Sequence, residues 1–154
     1  MSSKTDLLAH IRQQLRTQLE RLESAARDAH AAATDPDAKA ESKYDTRSLE
    51  ASYLAAGQAR QLEELAEDLR LLEGFEPIDF DIESAVAAGA LVEVMKEDET
   101  EYFFLVPAAG GLTVRHHDRE ITLLTPSSRL YQSLLGGSMG SVVTDHGHTI
   151  MEIE

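Results

Sequence analysis

Apolar and polar positions along the first 74 residues follow a helical period. Between residues 7 and 33, apolar side chains recur three, four or seven positions apart, with arginines and acids between them. This spacing places them on one face of an α-helix, and a second stripe with the same spacing runs from residue 51 to residue 72. The first stripe is formed by Leu8, Ile11, Leu15, Leu22, Ala25 and Ala29, and the second by Ala51, Ala55, Leu62, Leu65, Leu69 and Leu72. The pattern predicts two long amphipathic helices.

The segment between the two stripes contains signals for a helical turn. The residue before a proline avoids the helical region, whereas proline suits the first helical position. We therefore expect Asp35 to cap a second helix that begins at Pro36, with the two helices paired as an antiparallel hairpin over residues 1–74 and an acidic tip near residues 35–45. Leucines lie far from this turn and alanines near it, so the hairpin should taper. Such a hairpin suits a slender probe, and it equally suits an ordinary coiled-coil dimerisation arm.

After residue 74 the helical period stops and short β-rich runs begin. They cover residues 90–95, 101–107, 112–116, 121–125, 141–144 and 149–153. Turn-forming residues separate the runs, and the stretch from 127 to 135 has the spacing of one short helix, with Leu130 and Leu134 as its core anchors. Residues 75–154 are therefore predicted to form an α+β domain, a small antiparallel sheet with one short helix.

Composition and charge narrow the function classes. The chain of 154 residues is too short for a large enzyme scaffold such as a (β/α)₈ barrel, and its net charge of −14 disfavours direct binding to duplex DNA. It has no cysteine, which excludes disulfides and thiolate chemistry. No apolar run is long enough for a signal core or a membrane span, so we expect a soluble, cytoplasmic protein.

The stretch from residue 125 to residue 142 carries a recognisable motif. It begins TPSSRLYQSLLGG and, one residue later, continues MGSV. This resembles the C-terminal signature of the Gre-factor family of bacterial transcription elongation factors, in outline TPxSPLGxALLGK and then a spaced GDxV. The matching positions are Thr125, Pro126, Ser128, Leu130, Leu134, Leu135, Gly136, Gly140 and Val142. The chain departs from the signature at Arg129, where the family has proline, at Gly137, where it has a basic residue, and at Ser141, where it has aspartate.

Residues 37–65 resemble the tip and second helix of the same family, and the order of hairpin and C-terminal domain also agrees. The resemblance implies a coiled-coil hairpin followed by a domain of FKBP-like fold. It also implies a regulator, not an enzyme, that binds RNA polymerase and inserts the hairpin into the polymerase secondary channel. The residues that we assign to polymerase binding are Ser128, Arg129, Leu130, Tyr131, Gly136, Gly137 and Gly140.

The tip carries the candidate chemistry. The resemblance implies that two tip carboxylates, here Asp37 and Glu41, help the polymerase hold a second Mg²⁺ so that its own active centre cleaves backtracked RNA. Hard oxygen ligands are what Mg²⁺ prefers, and the protein needs no cofactor or stably bound metal of its own. The family spaces these acids three apart, whereas Glu41 lies four after Asp37, which rotates it by about 100° on a helix. We therefore expect weak cleavage or channel occlusion without cleavage; a solvated charged face explains the same acids.

Three other interpretations of the sequence have weaker support. Residues 136–140 fit G-x-S-x-G and are followed by Asp145 and two histidines, yet a hydrolase elbow needs a strand before it and a helix after it. A metal site formed by His116, His117, His146 and His148 is disfavoured because adjacent strand residues point to opposite faces and no metal-ligand spacing supports it. Too few aromatic residues are present for a prolyl isomerase pocket. The alternative from a different functional class is a coiled-coil dimerisation module. We expect a monomer, which would count against this alternative.

Overall fold

Two long helices occupy the first half of the chain. The structure, a computed structural model, describes residues 3–34, 46–143 and 147–154. Helix α1 spans Ser3–Thr34 and helix α2 spans Thr46–Glu73, so both predicted helices are confirmed. The predicted cap Asp35 and the predicted helix start at Pro36 lie outside the described residues. The pairing of the two helices as a coiled-coil hairpin stays a prediction.

The chain divides into two compact units that do not follow chain order. One unit is Gln13–Asp68, and the other combines Met1–Arg12 with Leu69–Glu154. We call them the helical unit and the sheet unit. Both long helices cross the division, whereas the helical period of the sequence stops only near residue 74. The first turns of α1 and the last turn of α2 are therefore part of the sheet unit.

The sheet unit contains six strands and one short helix. They are β1 (Leu91–Lys96), β2 (Glu99–Leu105), β3 (Thr113–His116), β4 (Arg119–Leu124), α3 (Arg129–Leu134), β5 (Val142–Val143) and β6 (His148–Ile153). The strand order in the sheet is β3-β4-β2-β1-β6-β5. Each strand overlaps a β-rich run in the sequence, so the α+β class is confirmed.

The expectation of a purely antiparallel sheet is wrong at one place. Strands β2 and β4 pair in parallel, from Tyr102 beside Ile121 to Leu105 beside Leu124, whereas the other four pairings are antiparallel. The reason is that β4, the returning strand of the β3–β4 hairpin, lies between β3 and β2. Strand order along the chain therefore differs from strand order in the sheet, which makes the sheet mixed.

Two hairpin turns use side chains where glycine is usual. The β1–β2 turn has Glu97 at φ 48° and Asp98 at φ 67°, and the β3–β4 turn has His117 at φ 51° and Asp118 at φ 61°. Two consecutive positive φ values are typical of the two-residue type I′ turn, whose twist matches that of the flanking strands. Both turns lie where the sequence predicted them.

Alternate residues of the central strands are buried on both faces of the sheet. Leu91 and Phe104 lie on one face, and Val92 and Phe103 on the other, all at most 8% exposed. On the second face a cluster that includes Val92 and Ile150 also includes Leu134 of α3. This burial fixes the position of α3 and of the segments that flank it.

Candidate functional site

The segment that carries the sequence signature begins with a capped turn. Ser128 has extended backbone, φ −77° and ψ 135°, and its side-chain oxygen accepts a hydrogen bond from Tyr131 N at 3.4 Å. The Ser128 N–H donates to Thr125 O at 2.9 Å, and the Gln132 side chain donates to Pro126 O at 2.9 Å. Serine at this position satisfies a backbone N–H that the first helical turn leaves without a partner. The signature residues here form the start of α3.

The inner face of α3 is part of the core. Leu134 is fully buried, and Leu130 packs against the same cluster, so the expectation that these two leucines anchor the helix is confirmed. Tyr131, which the sequence analysis placed on the binding surface, is only 5% exposed. Positions 131 and 134 lie on the same face of α3, and this is the face that packs into the core cluster, so Tyr131 is buried beside Leu134. Tyr131 is therefore a core residue below the exposed face of α3.

The glycines after α3 have conformational and steric reasons to be glycine. Gly136 has φ +79°, and its N–H donates to Val86 O at 2.8 Å. A Cβ at Gly137 would lie 2.5 Å from Ile150 Cδ1 and 3.1 Å from Leu134 O. Gly140 has φ +85° and donates to Ile150 O at 2.7 Å. A side chain at position 137, such as the basic residue of the family signature, would therefore require the end of the Ile150 side chain to move.

The seven residues assigned to polymerase binding thus fall into three groups. Arg129, Gly136 and Gly140 are exposed; Ser128, Leu130 and Gly137 are half-buried; and Tyr131 is buried. The structure brings them into one continuous segment around α3. The Arg129 guanidinium is the only side-chain charge in this set, so it is the member with which a partner can form an ion pair.

The predicted tip is not among the described residues. Asp37 and Glu41 both lie outside the described residues, and their roles stay a prediction. Within the part of the chain that the structure describes, no group of three or more His, Asp or Glu side chains is arranged to hold a metal ion.

Arg12 is a structural residue that the sequence analysis missed. Its Nε and Nη2 atoms donate to Leu72 O at 2.9 and 2.7 Å, and Nη2 also reaches Glu73 O at 3.3 Å and Phe75 O at 2.9 Å. These carbonyls belong to the end of α2 and to the residue Phe75 after it, where the helical hydrogen-bond pattern ends. A cation at this end also interacts favourably with the helix dipole. Arg12 therefore holds the first turns of α1 to the end of α2.

Lys4 makes a second connection of this kind. Its ammonium donates to Ile78 O and, at 3.0 Å, to Gly89 O, and lies 4.6 Å from the centre of the Phe80 ring. Burial lowers the pKa of Lys4, while the charges of Asp79 and Glu154 act in the opposite direction. The sequence held a signal for both residues, since Lys4 and Arg12 lie four positions before and after Leu8 and so share its apolar face.

The histidines near the β3–β4 turn lie close together. The His116 and His117 ring centres are 4.1 Å apart, and His116 is 5.7 Å from His10 of α1. The expectation that the first two point to opposite faces is wrong because His117 is a turn residue with positive φ. The pKa of His116 is lowered, chiefly by burial and then by His117 and His10. The three histidine rings therefore pack against one another.

The G-x-S-x-G segment lacks the strand and the helix that a hydrolase elbow needs. Ser138 lies in the loop between α3 and β5, with no strand leading into it and no helix after it before β5. Its backbone N–H and O both bond to Ser141 Oγ, at 3.1 and 2.7 Å, which makes a closed turn. Asp145 and His146 lie outside the described residues. His148 is buried, with Nε2 3.0 Å from Glu101 Oε2.

None of the helices that the structure describes is both long enough and apolar enough to cross a membrane.

Comparisons with known proteins return structural likenesses only. The chain is similar to the crystal structure of GreA factor homolog 1 (Gfh1) of Thermus thermophilus, with a TM-score of 0.37 and 18% identity over 93% of this chain and 94% of that one. It is also similar to Gfh1 of Thermus aquaticus, with a TM-score of 0.34 and 16% identity over 92% of each chain. No protein-family model matches the sequence, and no curated protein matches it. Likenesses at these values do not establish a family.

Proposed function

We propose that this chain is a Gre-like transcription elongation factor that binds RNA polymerase. The observation that carries the proposal is the agreement between the signature of residues 125–142 and its local structure. Ser128 caps α3, Leu134 anchors it, and Gly136 and Gly140 adopt positive φ where the chain turns toward β5 and β6. Four signature positions with such structural reasons support a shared local fold. The order of long helices followed by an α+β unit supports the same assignment.

The helical unit supports the proposed mode of action. Among its side chains whose exposure the structure describes, Leu15 is the only buried one. The part of α1 that belongs to the helical unit runs from Gln13 to Thr34, which corresponds to about 33 Å at the usual rise. Helices whose described side chains are so little buried suit an arm that enters a narrow opening. In this proposal residues 1–74 form a coiled-coil hairpin that enters the polymerase secondary channel, and residues 75–154 form an FKBP-like domain that docks on the polymerase.

The chemistry in this proposal belongs to the polymerase. Asp37 and Glu41 at the hairpin tip add carboxylate ligands to a Mg²⁺ in the polymerase active centre, so this chain acts as a monomeric regulator with no cofactor of its own. The spacing of these two acids favours a second candidate function. Because Glu41 lies one position later than in the family pattern, a factor that occupies the channel without stimulating cleavage is the alternative.

A charge-matched pair of variants tests the tip. Asp37→Asn with Glu41→Gln removes two carboxylates and preserves side-chain shape, and Glu63→Gln with Glu64→Gln makes the same charge change on the exposed surface of α2. We expect the tip variant to keep polymerase affinity and to lose its effect on release of short 3′ RNA fragments from stalled complexes at limiting Mg²⁺. The α2 variant should behave as the parent protein. Parent protein that binds and slows elongation without releasing fragments would identify the second candidate.

Polymerase binding itself is tested by reversing one charge at α3. Arg129→Glu should weaken co-sedimentation with core polymerase, whereas Arg115→Glu, at an exposed position on β3, should not. Equal binding of both variants would show that Arg129 is not part of the docking surface. No binding of the parent protein, together with self-association at micromolar concentration, would favour the dimerisation module and contradict the proposal.

A further inference from the structure

Three exposed apolar side chains line one groove of the sheet unit. Ile82 is 76% exposed, Met139 is 39% exposed and Met151 is 42% exposed. They surround a cavity of about 450 Å³, together with the half-buried ring of Phe80. The groove is assembled from the loop before β1, the loop after α3, and strands β1 and β6. Apolar side chains gathered from separate segments and left in contact with water mark an interaction site more often than scattered ones do.

A β-bulge places Met151 in this groove. In the β1–β6 ladder Glu93 pairs with Glu152, but the next residue of β1, Val94, pairs with Ile150, so Met151 is an extra residue without a partner in β1. The alternation of buried and exposed residues is therefore interrupted: Ile150 is buried and both Met151 and Glu152 are exposed. Bulges re-aim side chains and are over-represented beside functional sites. Without the bulge, position 151 would continue the ladder like its neighbours.

Four carboxylates surround the apolar floor, and none of the described residues that line the groove is a cation. They are Asp81, Glu93, Glu152 and Glu154. Two nearby cations are already engaged: Lys4 with the carbonyls of Ile78 and Gly89, and Arg119 with Glu154 at 3.5 Å. The Glu93 carboxylate accepts a hydrogen bond from the Tyr102 hydroxyl at 3.2 Å, which fixes its direction. The groove thus combines an apolar floor with a negative rim.

We propose that this groove, which we call the acidic groove, binds a segment of a partner protein that presents an apolar side chain flanked by Lys or Arg. The apolar side chain fills the space between Ile82, Met139 and Met151, and the flanking cations reach Asp81, Glu93 and Glu152. Charge complementarity selects this occupant, because the same rim repels phosphate and nucleic acid, and a second copy of this chain carries a net charge of −14. The proposal does not depend on the polymerase assignment.

Methionine methyl groups give a direct readout on the full-length chain. The chain contains four methionines, of which Met139 and Met151 line the acidic groove, whereas Met95 on β1 is outside it and serves as an internal reference. The probe is a synthetic peptide with a central Leu-Phe pair between Arg-Lys pairs. We expect saturable shifts of the Met139 and Met151 methyl signals, with the Met95 signal unchanged. Two comparison peptides replace the basic residues by Glu, or the Leu-Phe pair by Ser-Ser.

Variants of the groove separate its two components. Met151→Ser should weaken peptide binding by about tenfold because it removes apolar contact area, and Val142→Ser, at an exposed apolar position on β5 outside the groove, should leave it unchanged. Glu152→Gln should weaken binding by about fivefold or less, as expected for an exposed ion pair, and this effect should diminish with added salt.

Several outcomes would overturn the proposal. These are the absence of a saturable shift with the basic-apolar peptide, equal shifts with the acidic peptide, and equal shifts with the serine peptide, which would indicate charge attraction alone. Concentration-dependent shifts of the Met139 and Met151 signals without any peptide would identify a second copy of the chain as the occupant. None of these outcomes affects the polymerase assignment, because the experiment contains no polymerase.

Discussion

The helical unit and the sheet unit differ in how they are stabilised. The sheet unit has buried side chains on both faces of its sheet, among them Phe104 and Leu123, which are fully buried. In the helical unit, Leu15 is the only buried residue among the side chains whose exposure is described. Among the side chains whose exposure is described, most of the apolar burial is therefore in the sheet unit. The helical unit depends on partial burial along its apolar stripes and on helix propensity.

This difference has a functional consequence under the proposed function. An arm that enters a narrow channel has no space for a core, so its stability must come from its own helices and from the unit to which it is attached. Within the sheet unit, Arg12 and Lys4 bond the first turns of α1 to carbonyls at the end of α2 and in the segment between α2 and β1. Ionic hydrogen bonds of this kind contribute more than neutral ones.

The largest expected effect contrasts one leucine from each unit. Leu123→Ala removes a fully buried side chain of β4 and should destabilise the protein by about 2–5 kcal/mol, whereas Leu62→Ala, at a half-buried position of α2, should cost less than about 2 kcal/mol. Urea denaturation measures the total change, and hydrogen exchange measures it separately for each unit. Equal costs would show that the helical unit has as substantial a core as the sheet unit.

Two glycines give a smaller contrast of opposite sign. Gly137→Ala should destabilise the sheet unit by about 1–3 kcal/mol, because the added methyl group would lie 2.5 Å from Ile150 Cδ1. Gly57→Ala should stabilise the helical unit by about 0.5–1 kcal/mol, because nothing lies within 4 Å of the added Cβ and alanine favours the helix. Thermal denaturation of both variants checks the signs; a stabilised Gly137 variant would contradict the observed packing beside Ile150.

The smallest expected effect is a pH dependence confined to the sheet unit. The pKa of His116 is lowered from its ordinary value of 6.5, so the unfolded chain binds this proton more readily than the folded one. Stability from this group is present above that value and decreases as the pH falls through it. Thermal denaturation between about pH 7.5 and about pH 5.5 should show a slope that His116→Gln reduces. An unchanged slope in the variant would assign it to other groups.

The sequence predicted the elements better than their arrangement. Helical spacing and turn residues located both long helices, α3 and all six strands, because these signals are local. The parallel pairing of β2 with β4 was missed, since no local signal shows which side of β2 a later hairpin will join. The β-bulge at Met151 was not predicted for the same reason, because a bulge is defined only by the register of the strand with its partner strand.

Residues at the candidate sites show the same limit. The signature of residues 125–142 located the α3 segment, but spacing alone did not show that Tyr131 would be buried, because burial depends on which elements pack over the helix. The acidic groove was not predicted at all. Met139 lies within the signature segment, but Ile82 and Met151 belong to no sequence motif, and no local signal shows that these three side chains line one groove.

The amino-acid sequence by itself determined the helical and β periods, the turn positions, the negative charge and the signature around α3, all of which depend on neighbouring residues. Only the tertiary structure decided that Arg12 and Lys4 would bond across to the end of α2 and to the loop before β1, and that a bulge would complete an apolar groove under four carboxylates. These features join residues distant in the chain, and their partners are fixed only when the sheet register and the packing of its faces are set.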